Sequence, residues 1–201
     1  MQQGAAYFSD NALDYAFVRD YIGFEVVYTQ LNCGNTRTNY KAWKELLATG
    51  KRLWATSGSD SHENLDSKTL TSVYAKETDK ADGKLINYMT NGNFTAGSVG
   101  VQMCVGSTPM GGHCDFTNQR VVIDVGEFHT SMDTSHKYRI DIMNEHGIVY
   151  SQALNVDATT KVPTNGKIAF DAAECDFYRV VIYDMTAGYR IAYGNPIWND
   201  K

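Results

Sequence analysis

Lys51-Arg52-Leu53-Trp54-Ala55-Thr56-Ser57-Gly58-Ser59-Asp60-Ser61-His62 is the stretch on which the reading of the fold turns. The apolar run from Leu53 to Thr56 reads as a short strand, and the small residues Ser57, Gly58 and Ser59 let the backbone turn sharply where it ends. Asp60 and His62 follow, two residues apart. On an extended segment, residues i and i+2 face the same side, so a carboxylate and an imidazole in this spacing can converge on one cation. The same pair also reads as Asp60 capping the next element and His62 standing on the surface. Placement at a strand end favours the metal-ligand reading.

Upstream, Asn39 caps a predicted helix through Thr49, with Tyr40, Trp43, Leu46 and Leu47 on one stripe and Gly50 set to end it in a left-handed cap. Before it, residues 29 to 38 read as a polar loop, and Ile22-Gly23-Phe24-Glu25-Val26-Val27-Tyr28 as a β-branched and aromatic strand. Glu25 is the only charge in that run; it is either on the wet face or aimed into a site. Leu13, Ala16, Phe17 and Tyr21 predict a short amphipathic helix over residues 10 to 21. Strand, loop, helix and strand make a βαβ unit, whose ligand edge is expected at the strand C-termini, where Asp60 and His62 fall.

Downstream, Leu70 to Lys76 reads as a strand, Asp79 to Asn91 as one helix with Ala81, Leu85 and Met89 inward, and Phe94 to Ser98 as another strand. Beyond residue 98 helical periodicity disappears. Val99–Val105, Arg120–Val125, Tyr138–Met143, Ile148–Gln152, Lys167–Phe170, Tyr178–Asp184 and Arg190–Tyr193 are short strands split by Gly, Asn, Asp and Pro, which argues for a β-sandwich. Asn144-Glu145-His146-Gly147 has the composition of a tight hairpin turn. The expected class is therefore α/β plus all-β, with an α/β domain over residues 1–98 and a β-sandwich over 99–201. His113, His129, His136 and His146 sit apart beside turn residues and read as loop histidines.

Composition narrows the function. With 201 residues and 43% hydrophobic content the chain can build a real core. A net charge of -5 without a Lys/Arg cluster lacks the basic footprint of a nucleic-acid binder. No apolar run approaches the roughly 20 residues of a membrane span, and the first residues are not signal-like, so a soluble chain of undetermined compartment is expected. Cys33, Cys104, Cys114 and Cys175 show no CxxC spacing; Cys104 and Cys114 either bridge across a loop or stay as buried thiols.

The run from Asn39 to His62 resembles the C-terminal part of a PHP-domain (polymerase and histidinol phosphatase type) phosphoesterase. In that family a helix ending in Leu-Leu-x-x-Gly leads through a strand into a Gly-Ser-Asp-x-His turn. Val73 to Ala75, the helix ending at Gly92, Pro109-Met110-Gly111-Gly112, Asp176-Phe177-Tyr178-Arg179 and Asn195-Pro196-Ile197-Trp198 resemble members that append a β-sandwich. The resemblance implies a distorted α/β barrel whose strand ends hold divalent zinc, manganese or iron ions for hydrolysis of a phosphoester substrate. It makes Asp60 and His62 the last metal pair of the family and Glu25 a site-lining residue. The family's opening His-x-His is absent, since no histidine precedes His62. The chain is therefore expected to be the C-terminal segment of such a protein, with the metal-binding N-terminal half missing, inactive alone, and prone to self-association through exposed strand edges.

Two other readings compete. In one, the chain is a non-catalytic binding module whose sandwich takes a saccharide or a protein chain, with Tyr138, Tyr150, Tyr178, Tyr189 and Trp198 as an aromatic platform or, equally, as core residues. In the other, Asp60, His62 and a sandwich histidine form a self-contained zinc site.

Overall fold

The computed structural model describes residues 23–28, 30–59, 69–81 and 83–200. The helix expected over residues 10 to 21 lies outside them. Strand β1 (Gly23–Tyr28), helix α1 (Gly34–Ala48) and strand β2 (Trp54–Gly58) form the predicted βαβ unit. β1 and β2 pair in parallel, with Phe24 opposite Ala55 and Tyr28 opposite Gly58, across an irregularity at Val26. Val26, Val27 and Ala55 are fully buried, as a parallel pair covered by its crossover helix requires.

The stripe of α1 is buried as its spacing predicts: Tyr40, Trp43, Leu46 and Leu47 face inward. Gly50 takes a left-handed φ of +81°, and the Lys51 N–H donates to the Leu46 carbonyl while the Gly50 N–H donates to Leu47. The start of the helix differs from expectation. It begins at Gly34, because the Cys33 sulfur accepts the Thr36 N–H at 3.3 Å and supplies the cap. Asn39 is a buried interior residue of α1 instead; its side-chain amide donates to the Glu25 carbonyl at 2.8 Å and ties helix to strand.

Strand β3 (Leu70–Val73), helices α2 (Glu77–Ala81) and α3 (Leu85–Thr90), and strand β4 (Phe94–Gly97) follow. The single helix expected over 79 to 91 is broken in two. Gly83 adopts φ +69°, which an unbroken helix cannot accommodate, and the Tyr88 hydroxyl donates to the Asp79 carboxylate across the break. Leu85 and Met89, expected inward, are 36% and 39% exposed.

The remaining strands are β5 (Val99–Val105), β6 (Thr108–Pro109), β7 (His113–Cys114), β8 (Arg120–Phe128), β9 (Tyr138–Asn144), β10 (Gly147–Leu154), β11 (Lys167–Asp171), β12 (Phe177–Asp184), β13 (Tyr189–Gly194) and β14 (Ile197–Asn199). The larger sheet runs β10-β9-β12-β13-β4-β3, with β14 joining β12 to β7; the smaller runs β11-β8-β5-β6. Pairing in register sets the faces. Val180 lies opposite Ile142 and Ile182 opposite Ile140, so these four point to one side, while Arg179, Val181 and Tyr183 point to the other. The inner side meets the smaller sheet: Phe128 of β8 contacts Tyr138 of β9 edge-on at 4.7 Å, and Phe170 of β11 contacts Tyr178 of β12 at 5.9 Å.

The molecule is thus mostly β-sheet with a smaller helical share. β3 and β4, which precede residue 99, pair into the larger sheet through β13, and β4 and β5 on either side of that residue belong to different sheets. On the outward face of the larger sheet lies α1, with Tyr40 packed 5.3 Å from Tyr193. No disulfide joins Cys104 to Cys114. Among the described residues no helix is long and apolar enough to cross a membrane.

Candidate functional site at the β2 strand end

The parallel pair brings the C-terminal ends of β1 and β2 together at Tyr28 and Gly58. The loop leaving β1 runs from this end into the start of α1, so helix N-terminus and strand ends share one edge. Ser57 is fixed there from β3: its hydroxyl donates to the Leu70 carbonyl, and the Thr71 hydroxyl donates to the Ser57 carbonyl at 3.2 Å. The turn that carries the predicted ligands therefore leaves from an anchored residue.

Glu25 is exposed, and its carboxylate lies over the backbone of Gly58. A Cβ at Gly58 would stand 2.7 Å from a Glu25 carboxylate oxygen, so a side chain there would push the Glu25 carboxylate aside. Glu25 thus reaches the strand end two residues ahead of Asp60. Asp60 and His62 themselves lie outside the described residues.

The four sandwich histidines are each engaged locally. His113 Nδ1 lies 2.6 Å from Asp200, His129 Nδ1 2.7 Å from the Ser131 hydroxyl, His136 Nδ1 2.8 Å from Asp184, and His146 Nε2 3.3 Å from Glu145. Among the described residues no three His, Cys, Asp or Glu side chains gather into a metal-binding group. The aromatic platform does not form. Tyr138, Tyr178 and Trp198 are buried in the core, and half-buried Tyr150 is stacked on Phe170 at 5.6 Å.

No protein-family model, curated protein or solved structure matches this chain.

A second polar feature was not anticipated from the sequence. On the outward face of the larger sheet, arginines and aromatic rings alternate. Arg139 sits 5.6 Å from the Tyr183 ring centre; Arg190 lies 5.7 Å from Tyr183 and 4.3 Å from Tyr40; Arg179 lies 5.5 Å from Tyr40 and 5.3 Å from Trp43. Such contacts draw a guanidinium to the negative face of a ring. Arg139 has a counter-charge in buried Asp141 at 2.8 Å. Burial pushes the nearby Tyr193 phenol up, the two arginines Arg190 and Arg179 opposing, so its hydroxyl stays protonated at neutral pH. The one sequence signal for this cluster is Arg179 itself, a lone charge inside the apolar run Phe177 to Ile182.

Proposed function

We propose that residues 57–62 form part of the metal site of a phosphoesterase of the polymerase and histidinol phosphatase type. In this reading Asp60 and His62 ligate a divalent zinc, manganese or iron ion, and Glu25 lines the site. The observation that supports it is the convergence of β1 and β2, which sets the Glu25 carboxylate beside Gly58, two residues before Asp60 in the sequence. A carboxylate, an imidazole and a second carboxylate nearby are donors that suit these ions. Two ligands hold one face of a cation, and four to six complete it, so further side chains belong to the working site. When bound, the ions supply an activated water and neutralise the phosphoryl charge. The chain's own part is to orient. Ser57, bonded to Leu70 and Thr71, fixes the root of the ligand turn, and Gly58 leaves room for Glu25.

Metal analysis of the purified chain, with zinc and manganese supplied in turn, tests the assignment. The expected result is weak, substoichiometric metal that falls further in Asp60→Asn and in His62→Ala, with no hydrolysis of a simple aryl phosphate. Metal content unchanged in both variants would remove Asp60 and His62 from the site. Tight stoichiometric metal with phosphatase turnover would show that the chain needs no further ligands.

A further inference from the structure

Asn-Gly, the dipeptide in which a main-chain nitrogen can attack the preceding side-chain amide with no Cβ in the way, occurs twice, at Asn91-Gly92 and Asn165-Gly166. The fold treats the two differently. Asn165 is held at both ends of its amide: its oxygen accepts the Asn155 N–H and its nitrogen donates to the Ala153 carbonyl, each at 2.8 Å. Gly166 is buried, and its carbonyl accepts the Val125 N–H where β11 joins β8. Asn91 instead stands exposed at the end of α3, and its side chain forms no hydrogen bond among the described residues. The Gly92 N–H closes the last turn of α3 on the Met89 carbonyl at 3.1 Å and has to leave that bond to attack. Since α3 is six residues long and buries none of them, the turn opens at little cost.

We propose that Asn91 is a site of spontaneous deamidation through a cyclic imide, and that the fold protects Asn165 from the same reaction. The Gly92 nitrogen, its proton taken by a base in the solvent, bonds to the side-chain carbonyl carbon of Asn91. The carbon–nitrogen bond of the amide breaks, and ammonia leaves. Water then opens the imide at either carbonyl, giving aspartate or isoaspartate, each with a negative charge that asparagine lacks. Isoaspartate also adds a methylene to the main chain just before Gly92. The Gly92 carbonyl accepts the Asn195 amide at 3.0 Å, and Asn195 in turn accepts the Ala55 N–H of β2. Conversion to isoaspartate therefore displaces one end of a side-chain link between β2 and the sandwich.

Incubation of the full chain in mildly alkaline buffer, folded and in urea, tests this by peptide mass spectrometry and by enzymatic methylation of isoaspartate. In urea the two sites should react at similar rates, since the dipeptides are the same. In the folded chain Asn91 should convert about tenfold or more faster than Asn165, as the two hydrogen bonds on the Asn165 amide imply. The acidic species that accumulates should be absent from Asn91→Gln, whose longer side chain closes the ring far more slowly and whose exposed position spares the fold. Equal rates at the two sites in the folded chain, or faster conversion of Asn165, overturn the proposal. An acidic species undiminished in Asn91→Gln places the modification elsewhere and overturns it too. A difference that persists in urea would belong to the flanking sequence and overturn the protection by the fold.

Discussion

The sandwich and the β1–α1–β2 unit share one apolar cluster but are tied into the molecule differently. Within the sandwich, long antiparallel ladders such as β9 with β12 and β5 with β8 carry the chain from strand to strand. Among the described residues no backbone-to-backbone hydrogen bond joins the β1–α1–β2 unit to the rest. Side chains make the connection instead. Asn195 accepts the Ala55 N–H at 2.6 Å and donates to the Gly92 and Phe94 carbonyls; Arg179 donates to Tyr40; Ser57 and Thr71 link β2 to β3. Ladders are cooperative along their length, whereas side-chain links fail one at a time. The unit that carries the candidate metal turn is therefore the part that loosens first.

The largest effect that separates the two regions is expected from Trp43→Ala. Trp43 is fully buried and donates its indole N–H to the Leu53 carbonyl at 3.0 Å, so it holds α1 to the entry of β2. Its loss should cost about 3–5 kcal/mol. Hydrogen exchange should show amides of residues 23–58 losing protection while those of β9 and β12 keep theirs. Equal loss in both regions would break the comparison.

Next in size is Asn195→Ala. Asn195 is fully buried, and its removal leaves the Ala55 N–H and the Gly92 and Phe94 carbonyls without this partner. The Gly92 carbonyl keeps the Phe94 N–H, so at about 1 kcal/mol or more for each of the other two groups a loss of about 2 kcal/mol is expected. Denaturant titration should show it, with Trp54 next to Ala55 reporting the detachment of β2 before the sandwich melts. A single transition with no early change at β2 would mean that apolar contact alone holds the unit.

These same features mark how far the sequence could be read. The βαβ unit was legible because Gly50 and the stripe from Tyr40 to Leu47 are local signals, and β5 and β8 because their alternation is local too. The start of α1 was not, since a thiol in the cap position is an uncommon substitute for Ser, Thr, Asp or Asn. The break between α2 and α3 depended on Gly83 taking a positive φ, which the apolar pattern does not encode. β6, β7 and β14 are two or three residues long and exist through their partners, and the union of β3 and β4 with β13 spans about half the chain. The roles of Asn195 and Arg179 depend on contacts with residues more than a hundred positions away. For the site, the sequence left Glu25 either on the wet face or aimed into a site; the structure has it exposed with its carboxylate beside Gly58, and Asp60 and His62 lie outside the described residues.

The smallest effect lies wholly inside the sandwich and sharpens the comparison from the other side. His136, read from the sequence as a loop histidine, presents Nδ1 to the Asp184 carboxylate at 2.8 Å, and Asp184 is 1% exposed. The other Asp184 oxygen accepts the Thr186 and Ala187 N–H groups, so the pair clamps the loop before β9 to the turn between β12 and β13. The hydrogen bond to Asp184 raises the His136 pKa above its ordinary 6.5; burial opposes this, and the charges of Asp184 and then Asp133 add to it. A folded-state pKa that is raised contributes stability fully present below the unfolded value and lost as pH rises through the folded one. Wild type should therefore lose stability relative to His136→Gln as pH climbs from about 6.5, because glutamine keeps a neutral donor for Asp184 and cannot titrate. Thermal melts of the two across this range should show the gap between them narrowing with pH, and the change should appear in β9 and β12 amides while residues 23–58 stay unaffected. A gap independent of pH would mean that the clamp works as a neutral hydrogen bond.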